Sequence, residues 1–278
     1  MAVIGIMFDK NSIANLIATT NLDKSEAKIL LGYLLKFSKV QLITHDDYIL
    51  DNSQLQDFYE LCNQRLLGKP INYITGSREF YSREFKVNSD TLIPRPETEL
   101  LVDTILEYAK AGFSVLDLGT GSGCIAISAK LEFPTLFVSA VDKSPKALEV
   151  AKFNADNLGA NVDFKQSDWF SNIETKYDII VSNPPYIHPK DYHLDTLSFE
   201  PQDALTDFND GLSCLREIVT NARNYLNNDG VLIVEHGYDQ GASIRELFTK
   251  SGFAKVLTLR DYSMNERVTL GVLLTNTP

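Results

Sequence analysis

Val115-Leu116-Asp117-Leu118-Gly119-Thr120-Gly121-Ser122-Gly123 is a short apolar run that ends in three alternating glycines. A run of this kind reads as a buried parallel strand. Its glycines permit a tight turn and a close approach of a ligand to the backbone. The third glycine comes two residues after the second, where the dinucleotide fingerprint needs three, and no Gly-Lys-Ser/Thr follows as in a P-loop. Asp117 sits just inside the loop. A carboxylate there repels a phosphate and attracts an ammonium group, so a ligand with an amino-acid end fits better than a pyrophosphate.

From this stretch onward, strands and helices alternate. Strands are expected near 113–118, 137–142, 162–167, 177–182, 230–235, 253–259 and 267–273, and helices near 123–132, 144–158, 211–227 and 239–250. Such alternation means an α/β fold, a mostly parallel seven-stranded sheet with helices on both faces. The last two strands lie close together across Arg260 and Glu266 and are expected as an antiparallel hairpin at one edge.

Ligands of open α/β sheets bind beyond the carboxyl ends of the strands. The second strand ends in Asp142, 23 residues after Gly119, a position suited to accepting hydrogen bonds from ribose hydroxyls; its alternative role is an N-cap for the next helix. The third strand ends in Ser167-Asp168-Trp169-Phe170, where a carboxylate and the only tryptophan suit an adenine amino group and its ring. Amino acid, ribose and adenine in chain order describe S-adenosylmethionine. The fourth strand runs through Ile179, Ile180 and Val181 into Asn183-Pro184-Pro185-Tyr186. Two prolines fix φ, remove two backbone donors and hold Asn183 extended. The corner therefore presents the Asn183 side chain and the Asn183 and Pro184 carbonyls as acceptors, with the Tyr186 ring beside them, and suits a planar NH2 group. Taken alone, a proline-rich turn with a cap-forming Asn is an equal reading.

Residues from about 11 to 67 read as a small helical unit. Ser25 precedes a set of apolar residues too dense for one stripe, so that helix is expected to be buried on several sides. Ser53 is expected to open another helix, ended by Gly68 and Pro70. From Tyr73 to Val87, the pieces Tyr73-Ile74-Thr75, Glu79-Phe80-Tyr81 and Glu84-Phe85-Lys86-Val87 read as a β-hairpin. Pro96, with Glu97 and Glu99 in the first turn, marks a helix start.

Composition excludes several classes. Net charge is −11, and residues 91–278 carry 16 Lys and Arg against 26 Asp and Glu. An acidic body argues against non-specific attraction to nucleic acid, which needs basic residues at phosphates. Cys62, Cys124 and Cys214 are dispersed, and His45, His188, His193 and His236 form no ligand spacing, so neither a disulfide framework nor a metal site is expected. Surface or capping roles are expected for His188, His193 and His236, and a small buried filler for Cys124. The apolar start from Met1 to Met7 is too short for a membrane span and lacks the basic flank of a signal peptide, so the cytoplasm is expected.

With Gly68-Lys69-Pro70-Ile71-Asn72-Tyr73-Ile74-Thr75-Gly76, residues 92–99, the glycine loop, Asn183-Pro184-Pro185-Tyr186, Phe199-Glu200-Pro201 and Glu235-His236-Gly237, the chain resembles the HemK/PrmC family over nearly its whole length. These are protein-(glutamine-N5) methyltransferases of peptide chain release factors. The glycine loop alone marks only a class I S-adenosylmethionine-dependent methyltransferase, and Asn-Pro-Pro-Tyr alone is shared with adenine-N6 DNA methyltransferases. The resemblance implies that Gly119, Thr120, Gly121, Ser122, Gly123, Asp142, Trp169 and Asn183 bind the cofactor. It implies too that Asn183, Pro184, Pro185 and Tyr186 hold the glutamine.

Three parts are expected: a helical recognition domain over 1–70, a β-hairpin linker over 71–92 and a methyltransferase domain over 93–278. Asn183 Oδ1 and the Pro184 carbonyl are expected to accept the two N–H bonds of the acceptor amide, with Tyr186 stacked on it. The expected partner is a release factor, acted on by a monomer with no direct nucleic-acid or membrane binding. The rivals are an adenine-N6 methyltransferase, which would flip its base into the same corner, and a non-catalytic module that kept the fold. Against the first stand the acidic catalytic region and the lack of an added basic segment; against the second, the intact loop, carboxylate and corner together.

Overall fold

A computed structural model describes residues 9–274, so the apolar start at 1–7 lies outside the described residues. These residues fall into two compact units that meet between Gly76 and Ser77.

The first unit holds five helices: α1 (Ile13–Thr19), α2 (Lys24–Leu35), α3 (Lys39–Thr44), α4 (Asn52–Leu66) and α5 (Ile71–Thr75). Ile13, Leu30, Leu31, Leu50 and Phe58 form the centre of its core. Short polar residues set the helix starts. Asp23 caps α2, and Ser38 and Asp51 open α3 and α4 with capping boxes completed by Gln41 and Gln54. The expected start of α4 at Ser53 thus moves to Asp51, because the residue that can bond the third backbone N–H is the cap. Gly68, at φ 96, stands just past the end of α4. Helix α2 buries Ala27, Leu30 and Leu31 but leaves Ile29 and Tyr33 exposed, so it is not buried on several sides as its density suggested. Tyr73, Ile74 and Thr75 are helical rather than the first piece of a hairpin. A short apolar run carries no period of its own, and here Pro70 and a left-handed Gly76 bracket one helical turn.

In the second unit, a hairpin of β1 (Ser77–Phe80) and β2 (Arg83–Lys86) is followed by a 3-10 turn at Pro96–Thr98 and α6 (Glu99–Tyr108). Phe80 and Phe85 of the hairpin lie in the same core as Leu101 and Ile105, so it forms part of this unit instead of a free linker. The alternating region then runs β3 (Ser114–Leu118), α7 (Cys124–Glu132), β4 (Phe137–Asp142), α8 (Pro145–Leu158), β5 (Asp163–Gln166), β6 (Tyr177–Ser182), α9 (His193–Thr196), a 3-10 turn at Gln202–Ala204, and α10 (Ser213–Ala222). It ends with β7 (Leu226–Glu235), α11 (Gly241–Lys250), β8 (Ala254–Arg260) and β9 (Glu266–Val272).

The strands form one seven-stranded sheet in the order β5-β4-β3-β6-β7-β9-β8, parallel except for β9, which is antiparallel to both neighbours. Side chains alternate across it. Val115, Ile179, Val181, Val231 and Ile233 face a core with α6 and α7, while Leu116, Leu118, Ile180, Leu232 and Val234 face α10 and α11. Two covered faces explain why the strands read as continuous apolar runs instead of alternating ones. Helix α10 stops at Ala222, five residues before its expected end, because β7 begins at Leu226 and spans the turn-like Asn227-Asn228-Asp229-Gly230.

Gly123 closes the loop between β3 and α7 at φ 82, where a Cβ would lie 2.8 Å from Ile127 Cδ1 and 3.2 Å from Ala151 Cβ. Gly123→Ala therefore meets both a left-handed backbone and a filled space. It should lower unfolding stability by roughly 1–3 kcal/mol, read by urea denaturation. A loss under about 0.5 kcal/mol would mean that α7 shifts freely.

Candidate active site

The order β4-β3-β6 changes direction between β3 and β6, so the carboxyl ends of these strands flank the point where open sheets bind ligands. The Gly119 and Thr120 N–H groups donate to Val141 O, both at 2.9 Å, and Gly121 N–H donates to Asp142 Oδ2 at 2.9 Å. The glycine loop is thus stitched to the end of β4. Asp142 Oδ1 also accepts Ser144 N–H at 2.8 Å, while the N-cap of α8 is Ser144 itself, so the capping alternative for Asp142 does not hold. Each Asp142 oxygen keeps a further lone pair for a ligand hydroxyl. Burial pushes its pKa up, opposed by the Ser144 and Gly121 N–H groups.

Asp117 is fully buried on the core side of β3. Its Oδ2 accepts the Thr120 hydroxyl at 2.6 Å, and its Oδ1 has no partner. Burial lifts its pKa to about 7, against the Thr120 hydroxyl and the Ala126 N–H. A buried carboxylate with an open lone pair is costly unless a cation arrives.

Trp169 lies with its ring edge 3.3 Å from where a Gly119 Cβ would stand, so a side chain at position 119 would press on the ring as well as strain a backbone at φ 72. Its backbone is left-handed, at φ 46, held by Ser167 Oγ–H donating to Trp169 O at 2.8 Å. Strained residues of this kind gather at ligand sites. Asp168 next to it is exposed; burial raises the Glu217 carboxyl of α10, and the Asp168 charge adds to this. The loop, Asp142 and Trp169 come together; Asp168 is turned more toward solvent.

At the end of β6, the Ser182 hydroxyl donates to Leu118 O at 2.8 Å and locks the two strand ends together. Asn183 Nδ2–H donates to Thr98 Oγ1 at 3.1 Å, and Tyr186 O–H donates to Glu235 Oε1 at 3.0 Å. Pro184 is buried, and Asn183, Pro185 and Tyr186 are half-buried. Burial and the Glu235 charge raise the Tyr186 phenol. Gln240 clamps the corner from behind, donating to Tyr186 O at 3.0 Å and Gly211 O at 3.1 Å. Glu200 accepts Ile93 N–H at 3.0 Å and pairs with Arg95 at 2.5 Å, which brings the Pro94-Arg95-Pro96 segment to the site.

The sequence did not single out Thr98, Asn154 or Gln240. Asn154 was visible as a polar residue on the apolar face of α8: it accepts Lys86 N–H at 2.8 Å and donates to Lys86 O and Ser122 O, joining the hairpin to the glycine loop. His236, expected at the surface or a helix end, is fully buried, bonded to Gly237 O and Thr269 Oγ1, both at 2.8 Å. Burial pushes its pKa down, so it is a neutral core histidine. Cys124 is a buried filler whose thiol burial pushes up to about 12. Among the described residues, no group of three or more His, Cys, Asp or Glu is placed to hold a metal.

A family model described as PrmC N-terminal domain matches residues 13–76, and one described as Methyltransferase small domain matches residues 95–199. A release factor glutamine methyltransferase from Neisseria gonorrhoeae is 47% identical over 257 residues, spanning 91% of this chain and 94% of its own. The chain belongs to the release factor glutamine methyltransferase family. A relative of the same description from Aliivibrio fischeri is 45% identical over 252 residues, covering 88% of this chain and 89% of its own. Among solved structures, a methyltransferase from Pyrococcus furiosus superposes with a TM-score of 0.55 at 17% identity, covering 81% of this chain and 100% of that one. A 16S rRNA N2 G1207 methyltransferase from T. thermophilus, solved with AdoMet and guanosine, gives 0.51 at 19% identity, over 70% of this chain and 49% of that one. These two likenesses show the class I methyltransferase fold, which family membership extends with the helical N-terminal unit.

Proposed function

We propose that this chain transfers a methyl group from S-adenosylmethionine to the side-chain amide nitrogen of the glutamine in the Gly-Gly-Gln motif of peptide chain release factors. Family membership over nearly the full length supports the reaction. The single observation that carries the acceptor class is the Asn183 carboxamide at the end of β6, whose Nδ2–H is taken up by Thr98 Oγ1 at 3.1 Å.

The residues present fit the cofactor. Asp117 offers a buried, unpartnered oxygen to an ammonium group, a Cβ at Gly121 would meet nothing within 4 Å, and Trp169 flanks Gly119. Asp117 and residues 119–123 would hold the amino-acid end, Asp142 the ribose, and Trp169 with Asp168 the adenine. When bound, S-adenosylmethionine supplies a sulfonium methyl.

The chain's own task is to prepare a weak nucleophile. A glutamine amide lone pair is delocalised into its carbonyl. Asn183 Oδ1 and the Pro184 carbonyl accept the two N–H bonds, raise electron density on nitrogen and fix its direction, so that proximity contributes to the rate. Tyr186 covers one face of the amide. The product nitrogen sheds its proton to a carbonyl acceptor or water, so no strong base is required. The same reading puts the reaction in the cytoplasm, with a monomer acting on a protein substrate and no direct nucleic-acid binding. No helix among the described residues is long and apolar enough to cross a membrane.

The test is methyl transfer from labelled S-adenosylmethionine to a purified release factor, beside duplex DNA and a factor whose Gly-Gly-Gln glutamine is replaced. Label is expected on the unaltered factor alone. Label on DNA or on the glutamine-less factor would overturn the acceptor.

A further inference from the structure

Pro184 and Pro185 fix their own φ and hold Asn183 extended, but that stiffness ends at Tyr186. Tyr186 is an ordinary residue whose φ and ψ its own chemistry leaves free. In the proposed reaction its ring covers the acceptor amide, so whatever holds its backbone also sets the ring. The next residue is secured by the Ile187 N–H, which donates to Leu205 O at 2.9 Å. The Tyr186 carbonyl is secured by a side chain from α11's start, Gln240.

The Gln240 carboxamide meets three backbone groups that fit it in one orientation only. Its Nε2 donates to Tyr186 O at 3.0 Å and to Gly211 O at 3.1 Å, and its Oε1 accepts the Gly237 N–H at 2.8 Å. Carbonyls only accept and an N–H only donates, so turning the amide over would break all three bonds. Two glycines let backbone close around it. A Cβ at Gly211, φ 75, would lie 2.8 Å from Tyr186 O and 3.2 Å from Gln240 Nε2, and one at Gly237 would lie 3.2 Å from Gln240 Oε1. Asp207 in turn accepts the Asn209, Gly211 and Ser213 N–H groups at 3.0, 2.9 and 2.8 Å, which makes residues 207–213 a stiff anchor.

Gln240 occupies the N-cap position of α11, yet its side chain makes no cap bond there. Glutamine is not among the residues that favour this position either. The helix start gives up a cap, and the side chain turns to Tyr186 instead. We propose that Gln240 is a positioning residue: it ties Tyr186 O to the 207–213 loop and to the end of β7, and so fixes the ring that covers the acceptor amide. The prolines stiffen the corner as far as Pro185, and Gln240 extends that stiffness by one residue. The glycine loop is held separately, by Val141 O and Asp142, and should stay in place without Gln240.

This role rests on the amide acceptor proposed above, and the test separates the two. Steady-state methylation of a release factor is compared for the unaltered chain, Gln240→Leu, Gln240→Glu and Gly211→Ala, with cofactor affinity by calorimetry and melting temperature alongside. Gln240→Leu keeps the bulk and removes the three bonds. Its kcat should fall about tenfold or more, as for a small misplacement beside the reacting atoms, with cofactor affinity unchanged. Gln240→Glu keeps an acceptor for Gly237 but sets a second oxygen against two carbonyls, so kcat should fall at least as far. Gly211→Ala presses a methyl group on Tyr186 O and should give the same pattern. In a Tyr186→Ala background, Gln240→Leu should cost nothing more, since Gln240 acts through Tyr186.

A residue that merely anchored α11 would lower the melting temperature and leave kcat per folded molecule unchanged. Turnover within about threefold of the unaltered chain for the folded Gln240 variants, or an undiminished loss in the Tyr186→Ala background, would overturn the positioning role while the function stands. If the Gln240 variants do not fold, Gly211→Ala decides by the same criteria. No methylation by the unaltered chain would instead overturn the proposed function.

Discussion

Asn183→Ala is expected to lower kcat by about 100-fold or more, with cofactor affinity and melting temperature little changed. The size follows from removing one preorganised acceptor aimed at the reacting group. The split between kcat and affinity follows from the geometry, since Asn183 reaches its neighbours through Thr98 whereas the glycine loop is held by Val141 O and Asp142. Stability should survive because Asn183 is half-buried and the end of β6 is held by Ser182 instead. Single-turnover methylation of a release factor reads the effect, and a rate near that of the unaltered chain would remove Asn183 from the mechanism. Asn183→Asp tests charge at the same place: the added anion stabilises the sulfonium before transfer, so slow turnover with retained cofactor binding is expected.

A second large effect is expected at Asp117, whose folded pKa is about 7 against an ordinary value of 3.8. The sign follows from proton counts. Between these two values the folded chain holds a proton that the unfolded chain has lost, so its contribution to stability falls as pH rises from about 4 through about 7. An ammonium group bound at Asp117 reverses the balance, because it needs the carboxylate. Cofactor binding below about pH 7 should therefore release a proton, and affinity should climb with pH, by up to about tenfold per unit, before levelling off. Calorimetry in buffers of different ionisation enthalpy counts the proton directly. Asp117→Asn should abolish the release, flatten the profile and weaken binding at pH 8 by about 30-fold or more, as for one lost partner of a buried charge pair. A proton count of zero in the unaltered chain would mean that the amino-acid end lies elsewhere.

What was legible in the sequence is what neighbouring residues decide together. The glycines at 119, 121 and 123 adopt φ of 72, 56 and 82 within five residues, and Pro184 and Pro185 fix their own corner. The mostly parallel sheet with helices on both faces followed from the alternation of strands and helices. What was not legible depends on partners far along the chain. Thr98 reads as one residue of a helix start, and nothing local says that it will meet Asn183. His236 reads as a lone polar residue after a strand, and its burial follows only from Thr269 on the neighbouring strand β9. Ser144 displaced Asp142 as cap because Asp142 was drawn back by Gly121. The helical turn at 71–75 escaped because five residues are too few to show a period.

Trp169 is the chain's only tryptophan, and its ring stands against Gly119. On the proposed reading, the cofactor site thereby carries its own optical reporter. Excited at the red edge, where tyrosine is silent, the chain emits from this one indole, so a base stacking beside it should quench or shift the light without any label. The helical unit before Ser77 contains no such chromophore. Filling of the cofactor pocket can therefore be followed as one colour of signal while a protein partner, made tryptophan-free, is followed by another, and the order in which the two arrive becomes a matter of watching.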